Sequence, residues 1–211
     1  MRIAILVEGG TEVAFKPTLL NFLTRRLAGQ MPKLDFAPQH GRIPKGDKLR
    51  RQVSLLLKDH DAVIALTDVY TGGVPPDFED AADAKAKMRS WVGSEARFHP
   101  HAAQYDFEAW LLPYWPQIQK KARTNRQCPS SQPETVNHSK PPAKHLAEIF
   151  STGEAGRGYS KIRDATAILS GQDLALSATC SRRRLGDMIM IMPSEPAWKS
   201  TLVEMGNSRE P

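Results

Sequence analysis

Arg2-Ile3-Ala4-Ile5-Leu6-Val7, running straight into Glu8-Gly9-Gly10-Thr11-Glu12, is the stretch on which the reading of this chain turns. Its apolar run is unbroken and shows no polar alternation. That pattern suits a short strand buried on both faces, as in a parallel sheet, rather than a half-exposed one. Gly9-Gly10 ends the run. Thr11 can then cap a helix whose inward face carries Val13, Phe15, Leu19, Leu20, Phe22, Leu23 and Leu27, with Gly29 closing it. A second run of the same kind, Ala62-Val63-Ile64-Ala65-Leu66-Thr67, stops at Asp68.

Working outward, residues 34–38 read as a weaker strand and 45–59 as a helix burying Leu49, Val53, Leu56 and Leu57. Residues 79–92 read as a helix, 98–104 as a strand, and a further helix opens at Asp106. Strands alternating with helices predict βαβ units, hence an α/β fold with a parallel sheet of about four strands flanked by helices. Residues 123–139 are polar, contain Pro129 and Pro133, and read as a loop. Pro141-Pro142 suits a first helical turn, with Leu146, Ile149 and Phe150 facing inward, and 161–169 reads as another helix. The expected organisation is an α/β core over 1–122, a polar loop and helical extension of the same domain over 123–180, and a C-terminal tail over 181–211.

The net charge of +6 and pI of about 9.4 favour a polyanionic partner, nucleic acid above all, through phosphate neutralisation and counterion release. Basic residues group at Lys45, Lys48, Arg50 and Arg51, at Lys120, Lys121, Arg123 and Arg126, and at Arg182, Arg183 and Arg184. Aromatics make up 7% and do not interleave with these groups, which argues against a base-stacking platform. No apolar run approaches the roughly 20 residues that cross a bilayer, so no membrane association is expected. Residues 3–7 are too short for a secretory signal. Cys128 and Cys180 form no CxxC pair, which argues against a zinc site or a disulfide framework and for a reducing cytoplasm.

In parallel α/β sheets ligands bind beyond the carboxyl ends of the strands. Glu8, Asp68, and the pair Asp106 and Glu108 all fall at such ends, and Glu12 lies one turn into the first helix. Carboxylates crowded on one rim repel unless a cation answers them. Mg²⁺ (or Mn²⁺) suits them, because it prefers hard oxygen ligands and leaves positions for water and phosphate. Each acid also has a plainer role open to it. Glu12 suits a helix N-terminus electrostatically, Asp106 an N-cap, and Glu108 a first-turn position. Glu8 and Asp68 follow apolar strands directly, where folding does not obviously need an acid. Gly9-Gly10 would let backbone approach an anion, but no GK[ST] follows, so a nucleotide P-loop is excluded. His99 and His101 share a strand face without a third ligand nearby, Cys128 has no fixed histidine partner, and no GxSxG motif is present. Met188, Met190 and Met192 alternate and suit a packed strand or tail.

Four blocks carry a resemblance to a known family: Val7-Glu8-Gly9-Gly10-Thr11-Glu12; Leu66-Thr67-Asp68-Val69-Tyr70; Gln104-Tyr105-Asp106-Phe107-Glu108-Ala109-Trp110-Leu111; and Lys140-Pro141-Pro142-Ala143-Lys144. Together they resemble a bacterial Toprim-like family catalogued as domain of unknown function 4276, distantly similar to overcoming-lysogenization-defect nucleases. The resemblance implies a Toprim-like sheet with a helical C-terminal extension and a metal-dependent nuclease, with Glu8 in the acid/base glutamate role and Asp68 as the first metal-binding aspartate. It also implies a nearby ABC- or AAA-type ATPase partner in a phage-defence system. The usual Asp-x-Asp reads Asp68-Val69-Tyr70 here, so the second aspartate is missing and Glu108 or Asp106 would have to replace it. The expected site is thus Glu8, Asp68 and Glu108, with Glu12 and Asp106 assisting the metal and Lys144 contacting phosphate. Two rival expectations are a non-catalytic subunit that binds nucleic acid or an ATPase, and a phosphatase or nucleotidyl hydrolase that uses the same metal on a small substrate.

Overall fold

The computed structural model describes residues 1–27, 31–69, 75–129, 135–136 and 140–170. Its centre is a four-stranded sheet of β1 (Arg2–Val7), β2 (Lys33–Pro38), β3 (Ala62–Asp68) and β4 (Phe98–Ala103), every pairing parallel, in the order β2-β1-β3-β4. The helices are α1 (Gly10–Arg26), α2 (Asp47–Leu56), α3 (Ala81–Val92), α4 (Trp115–Ala122), α5 (Pro142–Thr152) and α6 (Lys161–Leu169). The expected α/β architecture is what forms.

Because side chains alternate across a strand, β1 and β3 each feed two cores. Ile3, Ile5, Val7, Ala62 and Ile64 pack with α1, α4, α5 and α6, while Ala4, Leu6, Val63 and Ala65 pack with α2 and α3. Both faces are covered, which is why the strands read as continuous apolar runs. The helical extension belongs to the first of these cores through Leu146, Phe150, Ala165 and Ile168. Pro100 sits in β4 at the sheet's edge, where a missing N–H is tolerated.

Several boundaries differ from the sequence reading. Helix α1 begins two residues earlier than a Thr11 cap would place it. Gly9 occupies the N-cap, its N–H donates to Glu12 Oε2 at 3.2 Å, and Thr11 is buried in the first turn. The helix expected from Asp106 opens as a 3-10 helix over Phe107–Tyr114, which holds Pro113, and becomes α-helical only at Trp115. A proline there removes one backbone donor and favours a change of winding. Helix α2 is shorter than expected at both ends. Gly29, Phe22's packing, Cys180 and the alternating methionines lie outside the described residues and side chains.

Candidate functional site

The strand order places a topological switch point between β1 and β3, since the chain leaves β1 toward β2 on one side and returns to β3 on the other. In doubly wound sheets the crevice at that point is the ligand position. Glu8 and Asp68 stand at its two lips. Val7 pairs in register with Leu66, so the next residue along β1 meets Thr67. Glu8 Oε1 accepts from Thr67 Oγ1 at 2.5 Å and from the Asp68 backbone N–H at 3.2 Å. Burial pushes the Glu8 carboxyl above its ordinary pKa; those two bonds, a backbone bond from Ile43 and the charge of Arg42 pull against it. The loop after β2 is held over this end of the sheet by Asp77, which binds Arg42 at 2.7 Å and Lys45 at 2.5 Å.

Asp106 and Glu108 arrive from the exit of β4. Asp106 stands at the N-cap of the 3-10 helix, yet its side chain does not cap that helix. Its Oδ2 accepts from the Ala143 N–H at 3.0 Å, in the first turn of α5. Pro141 and Pro142 carry no side-chain oxygen, so a cap for α5 has to come from another element, and Asp106 supplies it. Asp106 Oδ1 and both carboxylate oxygens of Glu108 are buried without a directed hydrogen bond, and Glu108 is fully enclosed. Lys161 Nζ lies 3.3 Å from Glu108 Oε1 as an ion pair.

Two features of the fold bring Lys161 there. Helix α6 lies against the start of α1, and Ile162 occupies the space a Cβ on Gly10 would fill, its Cδ1 only 2.4 Å from that position. Gly10 therefore serves a close helix approach. The turn before α6 is pinned by buried Asp164, whose two oxygens accept from the two Arg157 guanidinium nitrogens at 2.8 Å each, with the Ser160 N–H at 2.7 Å. Burial pushes Asp164 up, but these bonds outweigh it and hold its carboxyl below the usual range.

Electrostatically the acids form one neighbourhood. Asp68 keeps partial exposure as a residue, but its carboxyl lies in dense surroundings. Burial, then the charges of Glu8, Asp106, Glu12 and Glu108, push it well above its ordinary value. Burial and then Glu108 push Asp106 up to about 7. Glu12 is raised by burial and by Glu8 and Glu108, although its bond to Gly9 also gives it the structural role of a first-turn cap. Burial alone would lower Lys161; Glu108, Asp68 and Asp106 overcome this and hold its ammonium above the ordinary range. The Tyr159 hydroxyl is buried without a hydrogen bond, and burial followed by Glu108, Asp164 and Asp106 raises it.

The five carboxyls read from the sequence, Glu8, Glu12, Asp68, Asp106 and Glu108, thus come together. Lys144 is exposed on α5, one residue past Ala143. Lys161 and Tyr159 were not legible as site residues. Their only sequence signal is the Gly10–Ile162 approach, which needs the tertiary structure to be seen. Val69, the residue after Asp68, is buried against Phe78 and Ala84, and Tyr70 lies outside the described residues.

Carboxylate oxygens are the donors a hard cation prefers, and the buried Asp106 Oδ1 and Glu108 Oε2, which have no hydrogen-bond partner, are the observation in its favour. Among the described residues no three His, Cys, Asp or Glu side chains already stand as a finished metal-holding group. No helix among the described residues is long and apolar enough to cross a membrane.

No curated protein and no solved structure matches the chain. One family's sequence model matches residues 7–187, a span that includes every acid of the cluster and Lys161. The chain therefore belongs to the family described as a domain of unknown function, DUF4276.

Proposed function

We propose that this protein is a Mg²⁺- or Mn²⁺-dependent nuclease that hydrolyses phosphodiesters in DNA or RNA. The observation that carries the reading is the set of buried, under-compensated carboxyl oxygens of Asp106 and Glu108, in electrostatic reach of Asp68, on a chain of net charge +6. Such a cluster is costly in an empty site and useful in one that receives a cation. A divalent ion there would lower the pKa of an attacking water and offset charge on the phosphate. Asp68, Glu108 and Asp106 would hold it, with Glu12 assisting. Glu8, oriented by Thr67 and made more basic by burial, is suited to take a proton from water. Lys144 contacts phosphate in this reading. The Toprim-like resemblance supports it and adds an ABC- or AAA-type ATPase as partner in phage defence.

The test is cleavage of supercoiled plasmid and of RNA with Mg²⁺ or Mn²⁺. Glu8→Gln and Asp68→Asn should each lower the rate by about 100-fold or more. Cleavage that both variants retain would refute the assignment. A second reading, a non-catalytic subunit binding nucleic acid or an ATPase, is favoured by Val69-Tyr70 at the place of a second acid and by the unfinished ligand set. It predicts binding without cutting, with or without the partner. Release of phosphate from small esters without polymer cleavage would select a phosphatase instead.

A further inference from the structure

We infer that the basic groove where α4 and α5 end is a seat for the sugar-phosphate backbone of a nucleic acid. The inference takes its partner class from the function proposed above, but the groove itself needs no metal ion.

The groove is open to solvent, encloses about 560 Å³ and has mostly polar walls. Helix α4 and the turn after it contribute Lys120, Arg123, Thr124 and Asn125; the end of α5 contributes Thr152, and Glu154 follows. The walls are held at a fixed spacing. A Cβ on Gly153 would stand 2.2 Å from the Ala122 carbonyl oxygen, and the Glu154 N–H donates to the Arg123 carbonyl at 3.1 Å. The turn after α4 is tied back to its own helix. There the Arg126 carbonyl accepts from the Trp115 indole N–H at 2.8 Å and from the Gln119 amide at 2.9 Å. The groove is therefore formed before any ligand arrives.

Its positive charge is unspent. Glu148 takes up both Arg126 and Lys140, but among the described residues no carboxylate forms an ion pair with Lys120, Lys121 or Arg123. Basic residues suit the C-terminal end of a helix, which accounts for Lys120 and Lys121. It does not account for Arg123, which ends α4 at φ 51° and ψ 62°. In that left-handed conformation a Cβ is disfavoured and glycine or asparagine is the usual choice. A long cationic side chain is kept there against the preference of the backbone. A phosphodiester gives it a use, because the guanidinium fork matches two phosphate oxygens. The lining holds no aromatic ring on which a base could stack, and little apolar surface of the kind that protein partners bury. What it suits is the charged backbone, which positions a nucleic acid without reading its sequence. Glu154 opposes that binding. Helix α5 starts beside Asp106 and ends at the groove, about 15 Å away at 1.5 Å per residue, the axial length of about four base pairs.

Fluorescence anisotropy of a labelled DNA duplex and a labelled RNA strand, titrated with the full chain in EDTA over a range of KCl, tests this. Lys120→Gln combined with Arg123→Gln should weaken binding about 10-fold or more near 0.1 M salt, and should lower the slope of log K against log salt by about 2 on the duplex. Lys58→Gln combined with Lys85→Gln removes the same charge from exposed positions beyond α2 and on α3, across the sheet, and should change both quantities far less. Glu154→Gln should tighten binding. Arg123→Gly should bind as weakly as Arg123→Gln with a Tm no lower than that of the wild type, so that the loss is not one of folding. Equal losses in the two double variants, an unaltered salt slope, or a wild type that binds neither nucleic acid, or binds polyglutamate in their place, would overturn the inference. Metal-dependent cleavage by a chain whose groove variant binds as tightly as the wild type would overturn the groove alone. Groove-dependent binding by a chain that cuts nothing would overturn the nuclease reading alone.

Discussion

Replacing Asp106 with asparagine should stabilise the metal-free protein at pH 8 and do so much less at pH 5. Burial and Glu108 raise Asp106 from 3.8 to about 7. The folded state therefore holds this proton more tightly than the unfolded chain does. Its contribution to stability is present at low pH, falls as pH rises from about 4 to about 7, and is gone above that. At 1.36 kcal/mol per pH unit, keeping Asp106 ionised at pH 8 costs on the order of 4 kcal/mol. Asparagine removes that charge and keeps an oxygen for the Ala143 N–H, so the α5 cap survives. Its amide N–H groups are donors amid carboxylates. The expected gain is about 2–4 kcal/mol at pH 8, roughly 5–12 °C in Tm for a domain of this size, and about 1–1.5 kcal/mol at pH 5. Thermal unfolding in EDTA at the two pH values measures it. An equal gain at both, or a loss at pH 8, would show that Asp106 does not carry the electrostatic burden assigned to it.

Other perturbations follow from the same geometry. Saturating Mg²⁺ or Mn²⁺ should raise Tm more at pH 8 than at pH 5, because the raised carboxyls of Asp106, Asp68, Glu8 and Glu12 take up protons more readily as pH falls and those protons compete with the ion; equal shifts at both would exclude these acids as ligands. Arg157→Met should destabilise the fold by about 2–3 kcal/mol at neutral pH by leaving buried Asp164 short of its main partner. Asp164 is held below its ordinary pKa, so that loss should shrink as acid titrates it; a denaturant series at neutral and acid pH checks this. Gly153→Ala should cost about 1–3 kcal/mol in chemical denaturation, since its Cβ would stand 2.2 Å from the Ala122 carbonyl oxygen, a backbone atom that cannot turn aside.

The strands were legible because their cause is local. A run such as Ile3-Ala4-Ile5-Leu6-Val7 has no polar side to show to water, so burial on two faces is written into the order of residues. The acids were legible for a related reason: once the strands are parallel, whatever follows their carboxyl ends must share one rim. Glu8, Asp68, Asp106 and Glu108 could therefore be picked out before any contact was known. What each acid does was less legible, because the partner comes from elsewhere in the chain. Asp106 looked like a cap for its own helix, but the two prolines of α5 leave that helix wanting an oxygen, and Asp106 answers it across 37 positions. Lys161 was invisible for the same reason. One lysine among 29 basic residues carries no mark of its destination. Its position is set by α6 lying against α1 and by an ion pair at Asp164, and close packing between helices far apart in sequence exists only after the core has closed. The order of residues by itself determined the sheet and the rim on which the carboxylates collect, since period and polarity act over a few neighbours. Tertiary structure alone decided which charges meet there, because pairing a buried acid with its cation is a matter of distance in space.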